Sequence, residues 1–143
     1  MPQFTIETTF RMPYYRQRTY YAMTIEDACR LALDDQDWAS PTLDWECAGE
    51  TYITGVWSGA DMAYKGKALP ISSIFDETVQ RKAGHFGELT RLLDIVAQPT
   101  SVSPIDFEHW LPQAQAAVAK AKAILEFRRD PDEAPVELPE TET

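Results

Sequence analysis

The fold of this chain is decided above all by residues 43–57, which read Leu-Asp-Trp-Glu-Cys-Ala-Gly-Glu-Thr-Tyr-Ile-Thr-Gly-Val-Trp. Large side chains alternate with acids over 43–47, and β-branched and aromatic residues fill 51–57. This pattern of period two is typical of strands with one buried face. Gly49 lies in the middle of the three residues between them, which indicates a turn. The stretch therefore predicts a β-hairpin.

A second hairpin is predicted at the start of the chain. Over residues 4–10, Phe, Ile, Thr and Phe alternate with more polar residues, again with a period of two. Met12-Pro13 interrupts the pattern, and a run rich in tyrosine follows from Tyr14 to Ala22. Because the two runs are joined by a short breaker, we expect them to pair with each other.

Two of three predicted helices have clear start signals. The sequence Thr24-Ile25-Glu26-Asp27 resembles a capping box and predicts a helix from Ile25 to about Leu33. Ser103-Pro104 predicts the start of another, because serine is a favoured N-cap and proline fits the first turn. Pro112 is expected to kink or divide that helix, and the alanine-rich stretch 113–129 to continue it.

The longest predicted helix runs from about Phe75 to Ala97. Apolar residues recur there at spacings of three and four, which predicts one apolar side. That side comprises Phe75, Val79, Ala83, Phe86, Leu89, Leu93 and Val96. Gly84 and Gly87 interrupt the helix at about 1 kcal/mol each relative to alanine. Close approach of another element would compensate for this cost.

These elements predict an α+β fold in the order β-β-α-β-β-α-α. The two hairpins would form one antiparallel sheet of about four strands, with three helices packed mainly on one face. Residues 1–129 would form a single domain. Residues 130–143 contain three prolines, six acids and no base, so we expect them to be a disordered acidic tail.

The net charge of −10 restricts the partners that the chain can have. A field this negative disfavours direct binding of nucleic acid or of an anionic membrane surface. It favours a basic protein surface. The N-terminus lacks a basic segment followed by an apolar stretch, and no apolar run is long enough to span a bilayer. The sequence therefore predicts a cytoplasmic protein.

The sequence contains no recognisable catalytic or metal-binding motif. Cys29, Cys47, His85 and His109 are too widely spaced for the close ligand pairs of a zinc site. The Asp35–Asp37 segment lacks the later glycine and glutamate of a calcium loop. No serine or cysteine lies in a nucleophile motif. We therefore expect neither a cofactor nor enzymatic activity.

The most unusual feature is a carboxylate-rich segment with no Lys or Arg. Its acids are Asp34, Asp35, Asp37, Asp44, Glu46 and Glu50. The first three follow a predicted helix C-terminus, where negative charge opposes the helix dipole. A rigid carboxylate array can occupy a groove built for phosphates, as a nucleic-acid mimic does. The simpler interpretation is a solvated face that keeps the protein soluble.

Arg16 and Arg18 share one face of the predicted second strand with Tyr14 and Tyr20. Arginines interleaved with aromatic residues can stack on bases and contact phosphates. The alternative, which the overall charge favours, is cross-strand pairing with acids such as Glu7, Asp44 or Glu46. We include both arginines in the predicted partner-binding surface.

The stretch from Gly49 to Trp57, together with Glu77 to Ala83, resembles small uncharacterised proteins carried on bacterial plasmids and other mobile elements. The similarity covers about residues 14–97. It implies no known activity, but it raises the expectation of a role against host defence. Small acidic proteins of that kind block restriction or CRISPR machinery, and this part of the expectation is an analogy.

Together these features predict a non-enzymatic, acidic protein-binding module. It would act through the carboxylate-rich segment, as an inhibitor of a host nucleic-acid-binding or defence complex of the anti-restriction or anti-CRISPR type. The alternative is a small enzyme or a small-ligand-binding domain. Its pocket would lie between the sheet and the long helix, near Trp57, Tyr64 and His85.

Overall fold

The computed structural model describes residues 1–98 and 102–135 and confirms the α+β class. Over these residues the chain forms four strands, three α-helices and a 3-10 turn at Ser73–Phe75. The strands are β1 (Phe4–Thr9), β2 (Tyr14–Tyr15), β3 (Thr42–Leu43) and β4 (Tyr52–Ser58). The helices are α1 (Ile25–Asp34), α2 (Thr78–Val96) and α3 (Pro104–Leu125).

The chain divides into two compact units. The smaller unit is Phe10–Glu50, and the larger combines Met1–Thr9 with the chain from Thr51 onward. The helix α1 belongs to the smaller unit, whereas α2 and α3 belong to the larger one. The predicted single domain over 1–129 stays a prediction.

The predicted strand pairing is wrong. Instead of one sheet of about four strands, there are two antiparallel sheets of two strands each, β1 with β4 and β2 with β3. Neither predicted hairpin forms, because each strand of a hairpin pairs with a strand distant in sequence. The alternation of apolar and polar residues predicts which segments are extended. It does not predict which two extended segments pair with each other.

In the larger unit, β1 and β4 pair over their whole lengths. Phe4 lies opposite Ser58 and Ile6 opposite Val56, and the register shifts between Glu7 and Thr8. With six residues in β1 and seven in β4, the two strands form an extended ladder of hydrogen bonds. By contrast, the run Tyr14–Ala22 supplies only two residues to a strand.

In the smaller unit, β2 and β3 are short and α1 is the main element. Thr24 caps α1 as predicted, because its side chain accepts a hydrogen bond from the Asp27 amide. Residues 45–47 form a turn rather than a strand. The Asp44 carboxylate accepts a hydrogen bond from the Cys47 amide at 3.2 Å, which stabilises that turn.

The helices α2 and α3 pack against each other as a helical hairpin. Leu92, Ala117 and Ile124 are buried in it. Ser103 caps α3, and the helix continues through Pro112 as one element, so the proline does not divide it. None of the helices in the described part of the chain combines the length and apolar character needed to cross a membrane.

The segment after α3 returns to the start of α2. The Glu133 carboxylate accepts hydrogen bonds from the amide and hydroxyl of Ser73, and Asp130 pairs with Arg81. These contacts involve the first residues of the predicted disordered tail. The remainder of that tail, 136–143, lies outside the described residues.

Candidate functional site

Asp35 is the centre of a charged cluster in the smaller unit. Arg18 Nη1 lies 2.9 Å from Asp35 Oδ2, and Arg18 Nη2 lies 3.1 Å from Asp37 Oδ2. The Tyr20 hydroxyl donates a hydrogen bond of 2.7 Å to Asp35 Oδ2. Two of the predicted carboxylates and both predicted arginines are therefore brought together, but they bind each other.

Arg16 closes the C-terminus of α1. Its guanidinium donates hydrogen bonds to the carbonyl oxygens of Ala32, Asp35 and Asp37 and lies 4.1 Å from the ring centroid of Trp38. A cation at the end of a helix interacts favourably with the helix dipole, and it donates hydrogen bonds to the last carbonyl oxygens, which lack partners within the helix. It thus offsets the unfavourable acids at this helix end, which explains how the sequence tolerates them.

The pKa values in the cluster reflect these contacts. The pKa of Asp35 is lowered to about 2, chiefly by the amide of Asp37 and then by the hydroxyl of Tyr20 and by Arg18. The pKa of Asp37 is lowered by the Ala39 amide and by Arg18. The pKa of Tyr20 is raised, because its hydroxyl donates to Asp35. The cluster therefore holds both carboxylates in their charged form.

The other four predicted carboxylates do not join this cluster. Asp34 and Glu46 are exposed, and Asp44 is half-buried and caps a turn. No Lys or Arg in the described ranges lies within ion-pair distance of these three. Glu50 is exposed but engaged in an interaction. The six acids therefore do not form one continuous array: Asp35 and Asp37 are paired with arginine, and the other four lie outside that cluster.

The alternative favoured by the overall charge was that Arg16 and Arg18 form cross-strand pairs with acids such as Glu7, Asp44 or Glu46. They pair instead with Asp35 and Asp37, the two acids that follow the last residue of α1. The Arg16 side chain is also largely buried. Two guanidinium groups held by carboxylates and carbonyls have few donors left for phosphate or for a partner protein.

The residues of the alternative pocket occupy two places in the larger unit. Trp57 is buried with its ring 5.0 Å from that of Tyr64, whose hydroxyl donates to Glu7. His85 is buried between α2 and α3, with Nε2 2.7 Å from the Ala117 carbonyl oxygen. Because a carbonyl only accepts, that nitrogen carries the proton. This His85 nitrogen has a structural role.

No set of three metal-ligating side chains is placed to hold an ion within residues 1–98 and 102–135. Both cysteines are free and exposed. The larger unit, by contrast, exposes a large apolar surface.

That surface is one side of the α2–α3 hairpin, and we call it the helical-hairpin face. Two open grooves run along it, with volumes of about 130 and 210 Å³. Residues from both helices line them, and Leu89 borders both. The face comprises Lys82, Phe86, Leu89, Leu93, Val96, Ala114, Val118, Ala121 and Leu125.

The largest side chains of this face are exposed. Phe86 is 70% exposed, Leu93 is 67% exposed and Leu125 is 64% exposed, while Val96 and Val118 are about half exposed. Single apolar residues on a surface need no explanation, but a contiguous patch indicates an interaction site. The sequence predicted the apolar side of α2. It could not reveal that this side is left uncovered, because spacing does not say what lies opposite.

Comparison with protein-family models, with curated proteins and with solved structures found no match for this chain.

Proposed function

We propose that this protein is a non-enzymatic protein-binding module that acts through the helical-hairpin face. The observation that carries the proposal is the exposure of Phe86, Leu93 and Leu125 beside two apolar grooves. These side chains are large, contiguous and held on two rigid helices. A partner that covered them would remove apolar area from water, at about 25 cal/mol per Å².

The apolar grooves favour protein binding over catalysis. Lys82 and His85 border one groove, and the other is lined almost wholly by aliphatic and aromatic residues. His85 already donates from Nε2 to a backbone oxygen. An apolar helix or sheet edge is the kind of ligand that such a surface accepts.

A carboxylate-rich surface that engages a basic partner is a second proposal. It is supported by the solvated acids Asp34 and Glu46 and by the net charge of −10. The pairing of Asp35 and Asp37 with arginines counts against it, because their charge is already compensated. A role against host restriction or CRISPR complexes belongs to this second proposal, as does the resemblance to plasmid-borne proteins.

The first proposal is tested by site-specific photo-crosslinking in the host cell. A photoreactive residue is placed at Phe86, and a matched one at Ile105 of α3. Ile105 is 80% exposed and borders neither groove. We expect a discrete crosslinked protein from position 86 alone. Crosslinks no different from those at position 105 would refute the proposal.

A further inference from the structure

We infer that the helical-hairpin face is the interface of a symmetric dimer, in which two copies of this chain form a four-helix bundle. This inference rests on the proposed function and names the partner as a second copy. A two-helix hairpin supplies half of such a bundle, and a two-fold axis supplies the other half from the same sequence.

The spacing of the exposed residues fits a bundle. On α2 the exposed stripe Val79, Phe86 and Leu93 repeats every seven residues, and on α3 Val118 and Leu125 do the same. A repeat of seven keeps apolar residues on the side of a helix that faces a parallel or antiparallel neighbour. The repeat covers α2 from Val79 to Leu93 and the last two turns of α3, and packing against a sheet or a steeply inclined helix would not require it.

A small residue lies beside Phe86 on α2. Ala83 precedes Phe86 by three positions, so the two lie on the same side of the helix, and Ala83 is exposed. The surface over this alanine is low and can receive a large side chain from a second copy.

The charge of the hairpin permits a contact between identical chains. Two chains of net charge −10 repel each other through most of their surface. The helices α2 and α3 together hold five bases and four acids, a net charge of +1. This nearly neutral region is therefore the place where two copies would meet with the least electrostatic repulsion. A strongly basic partner gains nothing from it.

The area is adequate for an interface. Six exposed side chains, at on the order of 100 Å² each, give roughly 600 Å² per copy, compared with about 800 Å² per partner in a standard interface. Those six are Phe86, Leu93, Val96, Val118 and Leu125 of the face, and Val79, which continues the seven-residue spacing of Phe86 and Leu93 beyond the grooves. The flanking Lys82 and Lys122 add aliphatic stems at the rim.

The test is sedimentation equilibrium of the full chain over a wide concentration range. We expect a species of twice the 16.2 kDa chain mass. The double variant Phe86→Lys with Leu93→Lys places two charges in the interface and should raise the dimer Kd by more than about 100-fold. Its helical circular dichroism should match the wild type, because both side chains are exposed in the single chain.

Ile105→Lys is the matched control and should remain dimeric. A wild-type chain that stays monomeric at all concentrations would overturn the inference, as would a double variant that still dimerises. The crosslinking experiment distinguishes a failure of the dimer from a failure of the proposed function. A crosslink from position 86 to a different protein only, with a monomeric chain, would retain the proposed function and reject the dimer.

Discussion

Arg81 and Asp130 form a buried ion pair that ties the first turns of α2 to the segment following α3. A guanidinium nitrogen of Arg81 lies 2.7 Å from Asp130 Oδ1, and the Arg81 side chain is 4% exposed. The same nitrogen donates a hydrogen bond to the Arg128 carbonyl. The contact joins residues 49 positions apart and closes the open end of the helical hairpin.

Removing one partner of this pair should destabilise the larger unit strongly. Arg81→Ala is expected to lower the free energy of unfolding by about 3 kcal/mol, because Asp130 would keep only its longer contact of 3.9 Å with Lys120 Nζ and the Arg128 carbonyl would lose its donor. Urea denaturation followed by circular dichroism measures this. The double variant Arg81→Met with Asp130→Ala should recover part of the loss. Equal losses in the single and double variants would show that the charge pairing is not the cause.

Gly55 and Gly84 should respond to alanine in opposite directions. A Cβ atom at Gly55 would lie 2.2 Å from the buried Trp57 ring, so the ring must move, and Gly55→Ala should destabilise by about 1–3 kcal/mol. At Gly84 nothing lies within 4 Å, and Gly84→Ala should stabilise by up to about 1 kcal/mol.

Thermal unfolding compares the two glycine variants, and tryptophan fluorescence reports the displaced ring at position 57. If Gly55→Ala leaves both the melting temperature and the fluorescence unchanged, the proposed packing of Trp57 over Gly55 is incorrect.

The cluster around Asp35 should make stability depend on acid pH. The folded pKa is about 2 and the ordinary value is 3.8, so the folded state holds the proton less tightly. The stabilisation is therefore present above about pH 4 and is lost as the pH falls from about 4 toward about 2. Urea midpoints across this range should fall in the wild type.

Asp35→Asn should flatten that pH dependence. Asp34→Asn is the neighbouring control, since no Lys or Arg of the described chain forms an ion pair with Asp34. Its profile should follow the wild type. Identical profiles for both variants would mean that Asp35 does not carry the effect.

The two proposed surfaces differ in their expected response to salt. Association through the helical-hairpin face is apolar, so its Kd should change by less than about threefold between about 0.05 and about 0.5 M NaCl. Binding of a basic partner to the exposed acids should weaken markedly over this range. Sedimentation equilibrium at several salt concentrations measures the dimer Kd. A steep loss of the dimer as salt increases would contradict an apolar interface.

Local signals in the sequence located most of the elements. Thr24 and Ser103 identified two helix starts, and the spacing of apolar residues identified α2 to within three residues at its start. Each of these features depends on side chains within one or two turns of each other. Capping and helical periodicity are local interactions, and they can therefore be deduced from neighbours in sequence.

Pairing between distant segments was decided only by the tertiary structure. The ladder between β1 and β4 joins Phe4 to Ser58, and Arg18 meets Asp35 rather than an acid on a neighbouring strand. Long-range packing determines which strands pair and which charged residues meet. Period-two alternation cannot predict this, because every candidate strand shows the same alternation.

The sequence by itself determined the α+β class, the positions of the helices and the apolar side of α2, because backbone propensity and side-chain spacing act locally. The tertiary structure decided that Asp35 and Asp37 are paired with arginine and that Phe86 and Leu93 face outward. The physical reason is that charge compensation and burial depend on what lies opposite a residue in space.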